Sequence, residues 1–153
     1  MSQAPMSLPK RILIALAGTE PSHKETSMKA AKYALSLASA SSARLVAVCV
    51  VQIPEYIEEN TRASLVEELV SRSQRMLEEV EQIARTAKVE FSSKVIETSG
   101  GIAASICNFS AKEGIDLIVM GTRGNTSSLT KMMLGSVASG VTNNADCPVL
   151  VVR

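Results

Sequence analysis

Five short apolar segments, separated by longer amphipathic ones, divide the chain. Residues 11–16, 45–51 and 115–120 are almost continuously apolar, which is typical of strands buried on both faces of a sheet. Residues 148–152 form a fourth, shorter apolar run. In residues 89–95 apolar and polar positions alternate, which predicts a half-exposed strand at the edge of a sheet.

The segments between these runs carry helical periodicity. In the first, Ser22 and Glu25 form a capping-box pattern, and apolar residues then recur at helical spacing up to Ala38. The second, residues 61–87, has one apolar and one charged face. A third helix follows Gly101 and is predicted to end at Gly114 in a left-handed cap; residues 137–144 suit a fourth. Strands that alternate with helices predict an open, doubly wound, five-stranded, mainly parallel α/β sheet with helices on both faces.

The length of 153 residues suits one domain. Residues 1–10 begin with a polar stretch that contains two prolines, so we expect a flexible N-terminal arm followed by a single domain at 11–153. Hydrophobic residues make up 46% of the chain, but aromatic residues only 3%, so the core must be aliphatic.

Charge and composition exclude several classes of partner. A net charge of +1 gives no basic footprint for nucleic acid or an acidic membrane surface, and few aromatic rings are available for stacking on bases. No run of eighteen apolar residues predicts a membrane span. Cys49, Cys107 and Cys147 lack metal-ligand spacing and suit small buried side chains. Unpaired cysteines favour a reducing compartment, so we expect a cytoplasmic protein.

Residues 121–136 hold the candidate chemistry. Two glycines follow the strand at 115–120, a Gly-Ser pair precedes the fourth helix, and Arg123 and Lys131 lie between them. Glycines allow close backbone approach, and a helix start offers unpaired N–H groups with partial positive charge, so the segment predicts a phosphate site. An ordinary surface loop followed by an ordinary helix start has the same composition.

Other chemistries find little support. Neither a dinucleotide fingerprint nor a P-loop is present, which argues against NAD binding and efficient NTP hydrolysis. His23 is the only histidine, and no oriented partner for catalysis accompanies it. No metal-ligand cluster occurs, although Mg²⁺ could accompany a nucleotide. A flavodoxin-like protein would place aromatic rings beside the flavin, and none of the four aromatic residues follows a strand at the predicted crevice.

Residues 116–124, 134–137 and 146–152 resemble the universal stress protein family, whose signature is Gly, two residues, Gly, nine residues, then Gly with Ser or Thr. The resemblance extends from residue 11 to residue 153. It implies a stress-response protein with a five-stranded α/β sheet, usually homodimeric, that senses nucleotides or regulates and is at most a slow ATPase. The last strand, a predicted sheet edge, favours the same dimer on physical grounds, through Val149, Leu150, Val151 and Val152.

In the ATP-binding branch of that family, the end of the first strand and a valine after the second hold adenine. The glycine loop holds ribose and phosphates, and the Gly-Ser pair holds phosphate. The resemblance therefore implies a site for ATP, with or without Mg²⁺, at Ala15, Ala17, Val50, Met120, Gly121, Arg123, Gly124, Gly135, Ser136 and Val137.

Two departures from the family pattern favour an alternative. Ten residues instead of nine separate Gly124 from Gly135, and Ala17 stands where the family often has Asp. The insertion either bulges outward or displaces Ser136 from phosphate, and Ala17 removes a hydrogen-bonding group. The alternative is a non-nucleotide-binding interaction or regulatory dimer of the same fold.

Overall fold

The computed structural model describes residues 5–16, 21–122 and 134–153. Over these residues five strands alternate with four helices, as predicted. The strands are β1 (Arg11–Leu16), β2 (Arg44–Gln52), β3 (Phe91–Thr98), β4 (Leu117–Gly121) and β5 (Val149–Val152). The helices are α1 (Pro21–Ser41), α2 (Glu59–Thr86), α3 (Ile102–Lys112) and α4 (Ser136–Asn144).

The five strands form one parallel sheet in the order β3-β2-β1-β4-β5. The chain builds the sheet outward from β1 to β3, then crosses to the other side of β1 and continues to β5. The switch in strand order therefore lies between β1 and β4. In doubly wound sheets, ligands bind at such a switch, outside the carboxyl ends of the strands. The predicted fold class is confirmed.

An aliphatic core covers both faces of the sheet. Ile12, Ile14 and Leu16 face α1 and α2, whereas Leu13 and Ala15 face α3 and α4. Residues 12–14 are 0% exposed, which explains why β1 reads as a continuous apolar run and not as an alternating one. This double burial fixes the position of β1 and so of the carboxyl ends beside it.

The two edge strands differ in polarity. β3 lies at one edge, as predicted from its alternating sequence, and exposes Ser92, Ser93 and Lys94. β5 lies at the other edge, and its four apolar residues are half-buried. Charged and polar side chains discourage pairing of an exposed edge with another chain. Only the β5 edge is apolar enough to favour such pairing.

Helix ends agree with the sequence at most positions. Gly114 has φ +64° and follows α3, as predicted for a left-handed cap. α1 begins at Pro21, one residue before the predicted capping residue Ser22. Proline is favoured at the first helical position because its missing N–H has no partner there in any case.

The beginning of the chain is described from residue 5. Pro5 to Ser7 are exposed, with Met6 89% and Leu8 70% exposed. The division into a flexible arm at 1–10 and a domain at 11–153 stays a prediction. None of the helices in the described part of the chain is long and apolar enough to cross a membrane.

Candidate functional site

A cavity of about 120 Å³ opens at the carboxyl end of β4, beside the start of α4. One water needs about 10–15 Å³ of such volume, so the cavity has room for several waters or for a group the size of one phosphate. It is too small for a whole nucleotide, since pockets for drug-sized ligands begin at about 300 Å³. Its lining comprises His23, Ser27, Met120, Gly121, Thr122, Gly135, Ser136, Val137 and Ala138.

The start of α4 supplies hydrogen-bond donors to this cavity. Gly135 is the N-cap residue in extended geometry, and its carbonyl oxygen accepts the first helical bond, from the Ser139 N–H at 2.9 Å. A glycine cap has no side chain to bond the first-turn N–H groups, and Ser136 is exposed. Unpaired N–H groups and the helix dipole attract an anion, most readily a phosphate.

Thr122 links the two sides of the cavity. Its hydroxyl oxygen accepts a long hydrogen bond, 3.4 Å, from the Gly135 N–H, and its own N–H donates to the Val152 carbonyl oxygen at 3.0 Å. The end of β4, the start of α4 and the end of β5 are therefore held together. The position of the helix start depends on the sheet and not on α4 alone.

Gly121 is needed for packing. A Cβ atom at Gly121 would lie 2.8 Å from the Thr26 Cγ2 atom and 3.0 Å from the Thr26 carbonyl oxygen. Real Cβ contacts are never this short, so the absence of a side chain lets α1 pack directly on β4. The sequence predicts that this glycine gives a ligand access to the backbone, which stays a prediction, and the structure adds that its missing side chain makes room for α1.

A second hollow lies at the carboxyl end of β2. Its volume is about 230 Å³, and Val50 lines it. Its other wall is the first half of α2, with Leu69, Arg72 and Ser73. β1 separates β2 from β4, so Val50 and Met120 lie on strands two spacings, about 10 Å, apart, and Val50 is two residues further toward the carboxyl end than Val48, which is level with Met120. The residues predicted to hold adenine and phosphate therefore lie at the same end of the sheet but in two separate hollows.

The predicted site residues fall into three groups. Met120, Gly121, Gly135, Ser136 and Val137 come together around the first cavity. Val50 lines the second hollow, and Ala15 is buried within β1, level with Met120 in the adjacent strand. The third group lies outside the described residues: Ala17, Arg123, Gly124 and Lys131.

Sequence reasoning missed four residues of the cavity: His23, Ser27, Thr122 and Ala138. His23 and Ser27 are four positions apart on α1 and so share one face of it. That spacing was available from the sequence, but nothing in it showed that this face of α1 reaches the cavity at the start of α4. His23 forms no ion pair with a carboxylate among the described residues.

Acidic and thiol side chains do not build a metal site in the described part of the chain. No three of its His, Cys, Asp or Glu residues come close enough together to hold a cation. Among the described residues that line the first cavity, His23 alone is titratable. The described lining is therefore chemically suited to an anion through N–H and O–H donors.

Comparison with known proteins points to a single family. The family model described as "Universal stress protein family" matches residues 9–153. Universal stress protein MJ0531 of Methanocaldococcus jannaschii is 36% identical over 150 residues, which cover 96% of this chain and 84% of the relative. Universal stress protein YxiE of Bacillus subtilis is 35% identical over 104 residues, 68% of this chain and 66% of the relative.

Solved structures agree. The hypothetical protein MJ0577 superposes with a TM-score of 0.78 at 25% identity, covering 95% of this chain and 96% of that one. A universal stress protein family member from Burkholderia pseudomallei gives 0.74 at 29% identity, covering 96% and 98%. A family member from Arabidopsis thaliana, solved with AMP bound, gives 0.69 at 19% identity, covering 94% and 91%. That last likeness shows the fold alone.

Proposed function

This chain belongs to the universal stress protein family, and from that premise we propose that it binds an adenine nucleotide, ATP in the first place, as a regulatory module. The main support for the proposal is the structure at the start of α4. It presents N–H donors without a side-chain cap, and the exposed hydroxyl of Ser136, to a cavity the size of one phosphate. The terminal phosphate would lie there, bound by the backbone and by Ser136.

The separation of the two hollows suits the length of a nucleotide. A phosphate at the start of α4 and a base near Val50 are about two strand spacings apart, roughly 10 Å, which an extended nucleoside phosphate can cover. The ribose would cross the carboxyl end of β1. Val50 is half-buried, so its side chain offers an apolar surface to a base while its backbone stays at the end of the sheet.

Nucleotide complexes of proteins with this fold support an adenine base. Structures of similar fold include universal stress proteins in complex with cAMP, with dAMP and with AMP. Mg²⁺ would arrive on the phosphate oxygens, since the described residues supply no metal cluster of their own. We propose no catalysis beyond slow ATP hydrolysis and, because the three cysteines are free, a reducing cytoplasmic compartment.

Calorimetric titration tests the site. We expect ATP with Mg²⁺ to release heat at micromolar to millimolar concentration, and ADP and AMP to compete for the same site. Acid extraction of freshly purified protein should release an adenine nucleotide. Absence of heat, of competition and of any extracted nucleotide would reject the proposal.

We also propose a homodimer through β5. The Pro148 and Val152 carbonyl oxygens accept hydrogen bonds from the Ile118 and Thr122 N–H groups of the β4 side, both at 3.0 Å. Bonding groups alternate in direction along a strand, so those of Val149 and Val151 point away from β4 toward the open edge. A second copy related by a two-fold axis would satisfy them.

Because the bonding groups of β5 alternate in direction, a substitution can weaken the proposed dimer contact without disturbing the pairing with β4. Val151→Pro removes one outward N–H donor and leaves the hydrogen bonds to β4 in place, because proline is tolerated on a free sheet edge. We expect sedimentation to show a dimer for the parent protein at micromolar concentration and a monomer for this variant. Val151→Thr, which keeps the donor, is the control. A parent protein that is monomeric would refute the proposed dimer.

A second candidate is a regulatory dimer that binds no nucleotide. The extra residue between Gly124 and Gly135 and the alanine at position 17 favour it. It predicts that purified protein carries no nucleotide and that Ser136→Asp, which places a negative charge where phosphate would bind, leaves the biological function intact. Loss of function in that variant, with the fold retained, would favour the nucleotide-binding protein.

A further inference from the structure

Two cysteines lie close together on the α3 and α4 side of the sheet. The Cys147 Sγ atom is 3.7 Å from the Ser110 Oγ atom, and Ser110 follows Cys107 by three positions on α3. Side chains three apart on a helix are neighbours, with Cβ atoms about 5–6 Å apart. The Cys107 Sγ atom in turn lies 3.9 Å from the Val141 carbonyl oxygen, in the last part of α4 before Cys147.

Both thiols are half-buried and can be reached from solvent, whereas Cys49 is 5% exposed. Burial raises the pKa of the Cys49 thiol to about 12, so at neutral pH almost none of it is the reactive thiolate. Partial burial, followed by the neighbouring Cys147 and Asp146, raises the pKa of Cys107. The electrostatic effect of Cys147 on Cys107 agrees with their proximity.

The segment that carries Cys147 is irregular. Residues 145–148 belong to neither α4 nor β5. A disulfide needs Cα atoms within about 7 Å and a restricted torsion angle, and an irregular segment reaches that geometry more easily than two helices would. Cys107 sits on the regular helix α3, so Cys147 would make most of the movement.

We propose that Cys107 and Cys147 form a peroxide-sensitive dithiol that closes into an intramolecular disulfide. The site lies apart from both hollows at the carboxyl ends of the strands. The oxidant is a hydroperoxide, and the proposal does not depend on nucleotide binding.

The chemistry takes two steps. The Cys147 thiolate attacks one oxygen of hydrogen peroxide, the O–O bond breaks, and the sulfur becomes a sulfenic acid while hydroxide leaves and takes up a proton as water. The Cys107 thiolate then attacks the Cys147 sulfur, the S–S bond forms, and the sulfenic oxygen leaves as a second water after protonation. Two thiols lose two electrons and one peroxide gains them. Cys147 is placed first because the raised pKa of Cys107 disfavours its thiolate.

The disulfide would enclose the segment from α3 to the entry of β5. The closed loop contains β4, the glycine-rich residues 121–136 and α4. A cross-link reduces the conformational freedom of the unfolded chain, so the oxidised protein should melt at a higher temperature than the reduced protein. Dithiothreitol should reverse the change.

Mass spectrometry of the intact, natural chain tests the proposal. After hydrogen peroxide treatment and alkylation in denaturant, we expect a mass loss of about 2 Da from the thiols and a single alkylated cysteine, Cys49. Trypsin should then yield a linked pair, peptide 95–112 with peptide 132–153. Cys107→Ser and Cys147→Ser should each abolish the link, and Cys49→Ala should keep it.

Three outcomes would overturn the proposal. One is a disulfide between two chains, seen as a dimer on a non-reducing gel, with no internal link. Another is sulfinic acid on Cys147 with Cys107 still reduced. The third is modification of Cys49 as fast as the other two. Peptide mapping of the unaltered protein identifies each of them even if a variant fails to fold.

Discussion

The helix ends at one end of the sheet differ from the helix starts at the other end in how their backbone hydrogen bonds are satisfied. At the amino ends of the strands, α1, α2 and α3 stop in residues of left-handed conformation: Ser42 (φ +56°), Lys88 (φ +56°) and Gly114 (φ +64°). At the carboxyl ends, the described starts of α2, α3 and α4 have no side-chain cap. α4 is the exception at the amino end, since its C-cap residue Ala145 is extended. Three of the four described helices therefore satisfy their own last carbonyl groups, whereas the described helix starts leave N–H donors without a side-chain acceptor.

Closure at the amino end is the same in all three helices. The residue that directly follows each left-handed residue donates its N–H to a carbonyl five positions earlier, which is the Schellman motif. The pairs are Ala43 to Ala38, Val89 to Ala84 and Ile115 to Ser110, at 2.9–3.0 Å. Asp116 adds to this closure, since its Oδ2 atom accepts from the Lys10 and Arg11 N–H groups at 2.7 and 2.9 Å.

This difference in hydrogen bonding indicates that the carboxyl end of the sheet, and not the amino end, can bind a ligand. N–H donors at a helix start that lack an acceptor lower stability until a ligand or water accepts from them. The start of α4 has such donors and, in addition, the hydroxyl of Ser136 and a cavity beside it. We therefore expect changes at the amino end to alter stability alone. Changes at the start of α4 should alter ligand affinity alone.

The largest effect on stability should come from Gly121→Ala. This residue is an exception to the difference between the two ends of the sheet. Gly121 lies at the carboxyl end, yet its role is packing, because an added Cβ would meet Thr26 at 2.8 Å. We expect the free energy of unfolding to fall by about 2–3 kcal/mol in urea denaturation. Gly100→Ala is the control, since its nearest contact would be an ordinary 3.5 Å. Equal stability of the two variants would contradict the packing role.

Asp116→Ala should destabilise the amino end by about 2 kcal/mol, because two hydrogen bonds to a charged acceptor are lost. Nucleotide affinity should stay within about twofold of the parent. Asp116→Asn keeps one acceptor oxygen and should lose about half as much. The measurement is paired urea denaturation and calorimetric titration, and a large change in affinity would show that the two ends are coupled.

Ser136→Ala should produce the opposite result. Loss of one hydroxyl donor to phosphate should weaken nucleotide binding about tenfold, near 1.4 kcal/mol, with unchanged stability. Ser139→Ala, one turn further along α4, is the matched control and should bind as the parent does. Titrations of both variants decide the matter. Equal affinities would remove Ser136 from the proposed site.

Lys88→Gly should have the smallest effect, and that effect should be an increase in stability. Lys88 has φ +56°, which costs a residue with a Cβ about 1 kcal/mol and costs glycine little. We expect thermal unfolding to show a stabilisation of about 0.5–1 kcal/mol, with unchanged nucleotide affinity. Ala87→Gly, where φ is −80°, should instead destabilise by a similar amount. A loss of stability in Lys88→Gly would count against strain at this cap.

Sequence patterns predicted much of this structure because the information is local. Continuous apolar runs indicated β1, β2 and β4, and alternation placed β3 at an edge. The left-handed cap at Gly114 followed from residue type. Left-handed Ser42 and Lys88 could not be predicted, because neither residue favours that conformation. The adenine-binding role of Val50 stays a prediction, and only the strand order shows that β1 lies between β2 and β4.

What the sequence determined by itself is periodicity and chemistry: which segments are strands or helices, which faces are apolar, and that a Gly-Ser pair begins α4. These depend on side chains a few residues apart. Tertiary structure decided which ends meet. It brought His23 and Ser27 to the cavity at the start of α4, packed Gly121 against Thr26, and brought Cys107 near Cys147. Such contacts depend on the strand order 3-2-1-4-5, which arises from the packing of the whole chain and from no local pattern.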